Sequence, residues 1–363
     1  MNPLQAVSGA ELEAETGGGT GADLGPALVR EGVWVLAQPT GAAHPPRFTL
    51  SYLIEDDQHG LHLVDPGIDD AEGANRARLS AVLQSLGRSE HDLASTIVTH
   101  LHHDHLALAE HLQREHSVPL ALHRADQEAA LRLAEAGPSR AETTRAKLVE
   151  WGVPERERGA LEVAAGATAT ASASATTTPT SPAPAPLRPV LADVLLDDDE
   201  HLAIPGRTVR VLPTPGHTPG HIALVDERER LLFTGDHLLP TLFPGIGLGG
   251  PTPDAIGDYL RSLDALEPFA RVETPDDPGY EVLPGHGHRF TGLADRIDTT
   301  RRHHVRRSHE VAAVLAESPG ATTWQIAERI HWTAGFAGLE GFFLLSALRQ
   351  TAMHVAHLSM EAR

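Results

Sequence analysis

The run Thr99-His100-Leu101-His102-His103-Asp104-His105 sets three histidines and an aspartate on an H-x-H-x-D-H spacing, and those residue types at that spacing bind metal. His100 and His102 offer two imidazoles to one cation, while Asp104 and His105 offer a carboxylate and an imidazole to a second cation beside it. A histidine-rich surface loop is the bland reading of any one of these residues. The four together favour metal, because histidines and an aspartate recur downstream in matching settings. Those settings are Pro215-Gly216-His217-Thr218-Pro219-Gly220-His221, Phe233-Thr234-Gly235-Asp236-His237 and Leu283-Pro284-Gly285-His286-Gly287. Each follows a short apolar or β-branched run, so each is expected on the loop leaving a strand, where one rim of a sheet sandwich converges on one pocket.

The elements that must position these loops are also readable. Val33-Trp34-Val35-Leu36, Leu50-Ser51-Tyr52-Leu53-Ile54 and Leu61-His62-Leu63-Val64 read as strands, with order expected to begin near Val33. The third strand runs into Asp65-Pro66-Gly67, and an aspartate before Pro-Gly is an ordinary turn former. Leu79, Val82, Leu83 and Leu86 recur at helical spacing and stop at Gly87. Ser95 to Thr99 is the strand that delivers the histidine loop, and a helix from Leu106 to His116 follows, leaving Asp104 and His105 near its N-terminus. His103, His111 and His116 read as surface or packing residues. A Gly/Pro-rich stretch from Gly245 to Gly250 reads as a mobile loop over the site, or else as a plain connection to the helix Asp254–Leu266, whose Tyr259 is a candidate substrate contact.

The chain has 363 residues, 41% hydrophobic against 21% charged, which predicts an ordered protein of one large and one small domain. Its formal charge of −20 repels nucleic acid and acidic membrane surfaces unless a local basic patch outweighs it. Cysteine is absent, which excludes disulfides, iron–sulfur clusters and a thiol nucleophile and leaves histidine and carboxylates to bind metal. The first residues lack a basic start and an apolar stretch, and no run is long enough to span a bilayer, so a cytoplasmic protein is expected.

Residues 1–28, with Gly17-Gly18-Gly19, read as a flexible leader, and 29–290 as the catalytic domain. Residues 163–190, almost wholly Ala, Thr, Ser and Pro, read as a disordered insertion within it. Asp197-Asp198-Asp199-Glu200 reads as a solvated acidic turn. Residues 291–363 form a third region. There Ala294–Leu315 carries Arg296, Arg301, Arg302, Arg306 and Arg307 on a long, locally basic helix, and two further helices are expected over Thr322–Ile330 and Phe342–Leu358.

The order and wording of the metal motifs resemble the metallo-β-lactamase-fold hydrolases over roughly residues 30–290. That resemblance implies an α/β fold, an αββα sandwich, with His100, His102 and His217 on the first metal, Asp104, His105 and His286 on the second, and Asp236 bridging. It also makes Asp65 a candidate for orienting a ligand. His221 and His237 adjoin ligands without being ligands in the family pattern: either they serve the pocket, His237 facing substrate, or they are packed structural residues. The tail is similar to the small helical or winged-helix domain of the subgroup that includes β-lactamase-like protein two, a ribonuclease; this rests on helix order and on Trp324-Gln325-Ile326-Ala327.

Two cations in one pocket hold a bridging water and lower its pKa toward neutrality, supplying a hydroxide nucleophile, with Asp104 and Asp236 as the catalytic carboxylates that position it. Two Zn2+ suit five imidazoles and two carboxylates best, although iron and manganese accept the same ligand types. The leading expectation is a hydrolase of a thioester, ester or lactone small molecule; the alternative is a phosphodiesterase or endoribonuclease using the same site and the arginine-rich tail. Single-iron redox chemistry, known among relatives of this fold, is opposed by the complete second ligand set. The flavodiiron relatives are opposed by His102, which stands where they carry glutamate. A non-enzymatic reader, in which a winged-helix tail binds DNA, is opposed by the intact ligands.

Overall fold

The computed structural model describes residues 26–41, 46–135, 139–171, 190–250, 252–270, 279–333 and 335–361. Strands β1 (Ala27–Arg30), β2 (Val33–Pro39), β3 (Phe48–Glu55), β4 (Leu61–Val64), β5 (Leu93–Val98), β6 (Leu120–His123) and β7 (Val194–Leu196) form one sheet in sequential order. Its first four strands are antiparallel and its last four parallel. The second sheet has the order β11-β10-β9-β8, from β8 (Val209–Pro213), β9 (Ile222–Asp226), β10 (Leu231–Gly235) and β11 (Glu281–Pro284). The first described strand is Ala27–Arg30, ahead of the expected start near Val33, and residues 1–25 of the expected leader lie outside the described residues.

Strand alternation builds the layers. In β9, Ile222 and Leu224 join Tyr52, Ile54, Val64 and Ile97 in the core between the sheets, while Ala223 and Val225 face the opposite way. That outer face is covered by α6 (Ala255–Leu266) and α7 (Leu293–Glu317) through Ile256, Tyr259, Leu263 and Ile297. The outer face of the first sheet, with Leu36, Leu53 and Leu63, is covered by α1 (Ala74–Ser85) and α2 (His103–His116) through Leu79, Leu83, Leu108 and Leu112. Helix, sheet, sheet, helix is the expected sandwich.

Helices α3 (Arg124–Glu135), α4 (Ser139–Glu150) and α5 (Glu155–Ala171) fill the connection between β6 and β7. The expected insertion over 163–190 needs correction, because α5 continues through Ala171 and Ala165 packs against a buried cluster. Alanine is the strongest helix former, so an alanine-rich stretch joined to an anchored helix extends it. Residues 172–189 lie outside the described residues.

The C-terminal helices α7, α8 (Thr323–Arg329) and α9 (Gly341–Glu361) agree with the expected ones in order and position. Val311 and Val314 of α7 and Ile326 and Ile330 pack together in a cluster of C-terminal residues, with Val355 and Leu358 of α9 against it. A second cluster joins Trp324, Ala327, Leu344, Leu345 and Leu348 to Leu148, Val153 and Leu161, so the C-terminal helices share a helical lobe with the α4–α5 segment from the middle of the chain. Among the described residues no strand follows β11, and no helix is long and apolar enough to cross a membrane.

Candidate metal centre

All the motif loops leave the same rim of the two sheets. His100 and His102 follow β5, Asp104 and His105 open α2, His217 lies between β8 and β9, Asp236 follows β10 and His286 follows β11. Two groups result: His100, His102, His217 and Asp236 offer ligand atoms within 4.8 Å of one another, and so do Asp104, His105 and His286. In the first, His102 Nδ1 stands 2.9 Å from His100 Nε2 and 3.0 Å from His217 Nε2. In the second, His286 Nε2 is 3.3 Å from His105 Nε2 and 3.3 Å from Asp104 Oδ2. Asp236 reaches both groups, 3.6 Å from His217 Nε2, 3.5 Å from His105 Nε2 and 3.4 Å from His286 Nε2.

The far side of each ring decides what the near side can do. His217 Nδ1–H donates to Gly245 O at 2.5 Å and His286 Nδ1–H to Phe48 O at 2.6 Å, while His105 Nδ1 donates to Asp65 Oδ2 at 3.0 Å. With those protons fixed outward, the Nε2 lone pairs of His105 and His286 point at each other, an arrangement that only a shared cation or proton relieves. Asp236 Oδ1 is likewise buried without a hydrogen-bond partner. Neutral imidazoles, a few carboxylates and an unpartnered inner oxygen are the donor set a divalent first-row cation takes, so the residues fit such an ion.

The charges divide the groups. Burial holds His100 and His217 below the usual imidazole range and pushes His102 down to about 3, so these rings stay neutral. Burial also acts to lower His105 and His286, but Asp65, Asp236 and Asp104 outweigh it at His105, and Asp236 and Asp104 at His286, raising both. Conversely, burial would raise Asp104 and Asp236, and the neighbouring imidazoles of His105 and His286 hold both low. Asp104 is the more open of the two carboxylates, with 32% of its side chain exposed against 11% for Asp236, and lies toward the mouth.

Side chains behind the groups settle several open readings. Asp65 accepts from Thr99 N and Thr99 Oγ1, both at 2.8 Å, as well as from His105, so it orients the histidine loop as well as turning the chain. His221 Nε2 accepts the Asp236 N–H at 3.1 Å, which leaves Nδ1–H for Thr214 Oγ1 at 2.8 Å; its role is to hold Asp236. His237 does not face solvent or an open site: it is fully buried, its ring packed 4.5 Å from Tyr259, and burial first and then His217 push it down to about 3. Tyr259 is no substrate contact either, being fully buried with its hydroxyl on His237 O.

The glycine of the last motif has a steric reason. A Cβ on Gly285 would lie 2.6 Å from Asp236 Oδ1 and 2.7 Å from His105 Cε1, so only glycine lets the two loops meet there. Of the two readings of the Gly245–Gly250 stretch, mobile loop or plain connection to the helix, the backbone bonds favour the second. Gly247 N donates to Gly216 O at 2.8 Å, Leu248 N to His217 O at 2.9 Å, and Arg296 holds Leu239 O at 2.5 Å and also Leu242 O. Sequence reading missed one functional candidate, Asp126. It is fully buried in α3, and burial pushes its carboxyl up to about 6 although three donors stabilise the anion. Its signal was a lone aspartate just after a short strand, too common to single out.

Residues 44–286 match the sequence profile of the Metallo-beta-lactamase superfamily. The chain is 27% identical over 154 residues to the beta-lactamase-like protein 2 homolog of Caenorhabditis elegans, covering 41% of this chain and 47% of that one. It is 28% identical over 144 residues to an atrochrysone carboxyl ACP thioesterase of Aspergillus chevalieri, covering 38% and 42%. The chain thus spans under half the length of these curated relatives. Among solved structures, a metallo-beta-lactamase family protein from Thermus thermophilus is similar in fold with a TM-score of 0.70 at 24% identity, covering 92% of this chain and 95% of that one.

Proposed function

The chain belongs to the metallo-β-lactamase superfamily, and from that premise we propose that it is a metal-dependent hydrolase whose two groups each hold one cation, zinc by ligand type, acting on a thioester, ester or lactone small molecule. The observation that carries the reading is the convergence of His100, His102, His217 and Asp236 beside Asp104, His105 and His286, with outward protons on the rings. When bound, the cations would acidify a water and polarise the scissile carbonyl. The chain's own part is to hold two carboxylates, Asp104 and Asp236, within 3.4 Å of His286 Nε2, where they orient a water's protons. Asp104 does so from the mouth, and it is the carboxylate an entering substrate meets first.

The arginines of α7 support acyl over phosphodiester chemistry. Arg301 pairs with Asp264 and Glu267, Arg302 with Asp298 at 2.9 Å, and Arg306 with Glu310 at 3.8 Å. Arg307 pairs with Glu310 at 3.3 Å and lies 4.2 Å from the centre of the Trp332 ring. Arg296 is engaged by two carbonyls. A helix whose guanidinium groups are matched this way makes a poor phosphate platform, and the chain's net charge of −20 acts in the same direction. That one relative is a carboxyl ACP thioesterase agrees with an acyl substrate. Turnover by the zinc-loaded protein on thioesters, esters and lactones, measured beside phosphodiesters and single-stranded RNA, is expected on the acyl panel only and is lost in Asp104→Ala. RNA cleavage with a steep salt dependence, lost in the same variant, would replace this reading with the nuclease one.

Acid should empty the two sites in order. The raised His105 and His286 bind protons readily, so as pH falls toward and below their values protons displace metal from the second group; the first-group imidazoles stay neutral there. In the metal-free protein the pH dependence of folding runs the opposite way: the raised rings stabilise the folded state below the unfolded value near 6.5, and this is lost as pH rises through their folded values. Zinc retention against a chelator, followed from about pH 8 down to about pH 5 across the histidine range, is expected to fall first to one ion per chain. Simultaneous release of both would contradict the division of charge.

A further inference from the structure

The Asp126 carboxylate accepts from Leu101 N at 2.7 Å, from Thr218 Oγ1 at 2.8 Å and from Gly220 N at 2.6 Å. Leu101 lies between His100 and His102, and Thr218 and Gly220 follow His217. We propose that Asp126 is the positioning residue of the first metal group alone, a clamp that gathers its three histidines, from loops 115 residues apart, around one centre. The proposal rests on the two-cation reading above. None of the three bonds reaches Asp104, His105 or His286; His105 is oriented by Asp65 and His286 by the Phe48 carbonyl.

The chemistry of the acceptor explains why a carboxylate stands in so enclosed a place. Three donors converge from two directions, and an ionised carboxylate has two oxygens and about four lone-pair sites to receive them. An asparagine has one oxygen and would turn its own N–H2 against a backbone N–H. The approach is also as close as a chain allows: a Cβ on Gly220 would lie 2.3 Å from Asp126 N and 3.0 Å from Ala125 C, both backbone atoms that cannot give way. Because Gly220 carries no side chain, the β8–β9 loop can sit against the start of α3, and His217 is brought to the H-x-H loop by backbone contact rather than by its own ring. The polar contacts of Asp126 therefore act on ligand placement, and it touches no ligand ring itself.

The two groups should then fail separately. Zinc titration of the full chain, with the ions located by anomalous scattering, is expected to give two sites in the unaltered protein. In Asp126→Asn the first group should bind about tenfold or more weakly while the second is unchanged, within the range that loss of a ligand's support produces. Thr218→Val keeps side-chain shape and removes one donor, so it should weaken the same group by less, and it keeps the test open where Asp126→Asn does not fold. Equal weakening of both groups, or of neither, with two ions still bound by the unaltered chain, would overturn the clamp and leave the two-cation reading standing. An unaltered chain that binds no zinc at either group would overturn both.

Discussion

Asp236→Ala is expected to lower turnover by roughly a thousandfold or more while leaving the protein folded. The Asp236 carboxylate approaches rings of both groups, His217 on one side and His105 and His286 on the other. Its removal takes away the charge that the two cations would share, and a metal's electrostatic contribution at a reacting carbonyl is worth several kcal/mol, or about three powers of ten in rate. Folding should survive for a local reason. The Asp236 backbone N–H is held by His221 Nε2, which is held in turn by Thr214, and neither bond involves the carboxylate. The measurements are turnover, zinc content and the thermal transition of the variant beside the unaltered chain. Near-normal turnover with less bound zinc would rule out a mechanism that needs both cations. His221→Ala makes the complementary comparison, since it loosens the same aspartate without removing it.

Asp65→Asn is expected to weaken zinc binding at the second group by about 10–100-fold, and to loosen His100 of the first group through Thr99, whose hydroxyl stands 3.1 Å from His100 Nδ1. Asp65 sits in the left-handed region with φ of 48°, which asparagine tolerates better than alanine does, so the substitution probes the acceptor and not the backbone. Its oxygens receive Thr99 N, Thr99 Oγ1 and His105 Nδ1. An amide leaves at least one of those buried donors without an acceptor, and it frees His105 to move its proton to Nε2, the nitrogen that faces His286. The readout is zinc affinity at each group together with the tautomer of His105 by nitrogen NMR. Unchanged affinity with an unchanged tautomer would show that Asp65 serves the turn and not the ligand.

Which parts of this site were legible follows from sequence distance. The H-x-H-x-D-H loop carries four donor residues within six positions, and each later motif stands at a strand end that periodicity alone can find. For the same reason β2, β3, β4, α1, α2 and α6 agree with the expected elements to within a few residues. The alanine-rich continuation of α5 was not legible, because composition marks low apolar content but carries no sign of the anchored turn before it.

The sequence by itself determined the residue types of the site and the strands that carry them, since both are local patterns. Tertiary structure decided the rest. It placed His217 beside His102, set Asp65 behind His105 and Thr99 and Asp126 behind the first-group loops, turned His221 to Asp236 and enclosed His237 and Tyr259. It also matched Arg301, Arg302, Arg306 and Arg307 of α7 with carboxylates and joined α4 and α5 to the C-terminal helices. Each of these depends on where residues distant in the chain come to lie, and on which ring nitrogen a remote carbonyl or carboxylate leaves free. A hydrogen-bond partner of that kind is chosen by the packed layers, and it has no counterpart in the spacing of neighbouring residues.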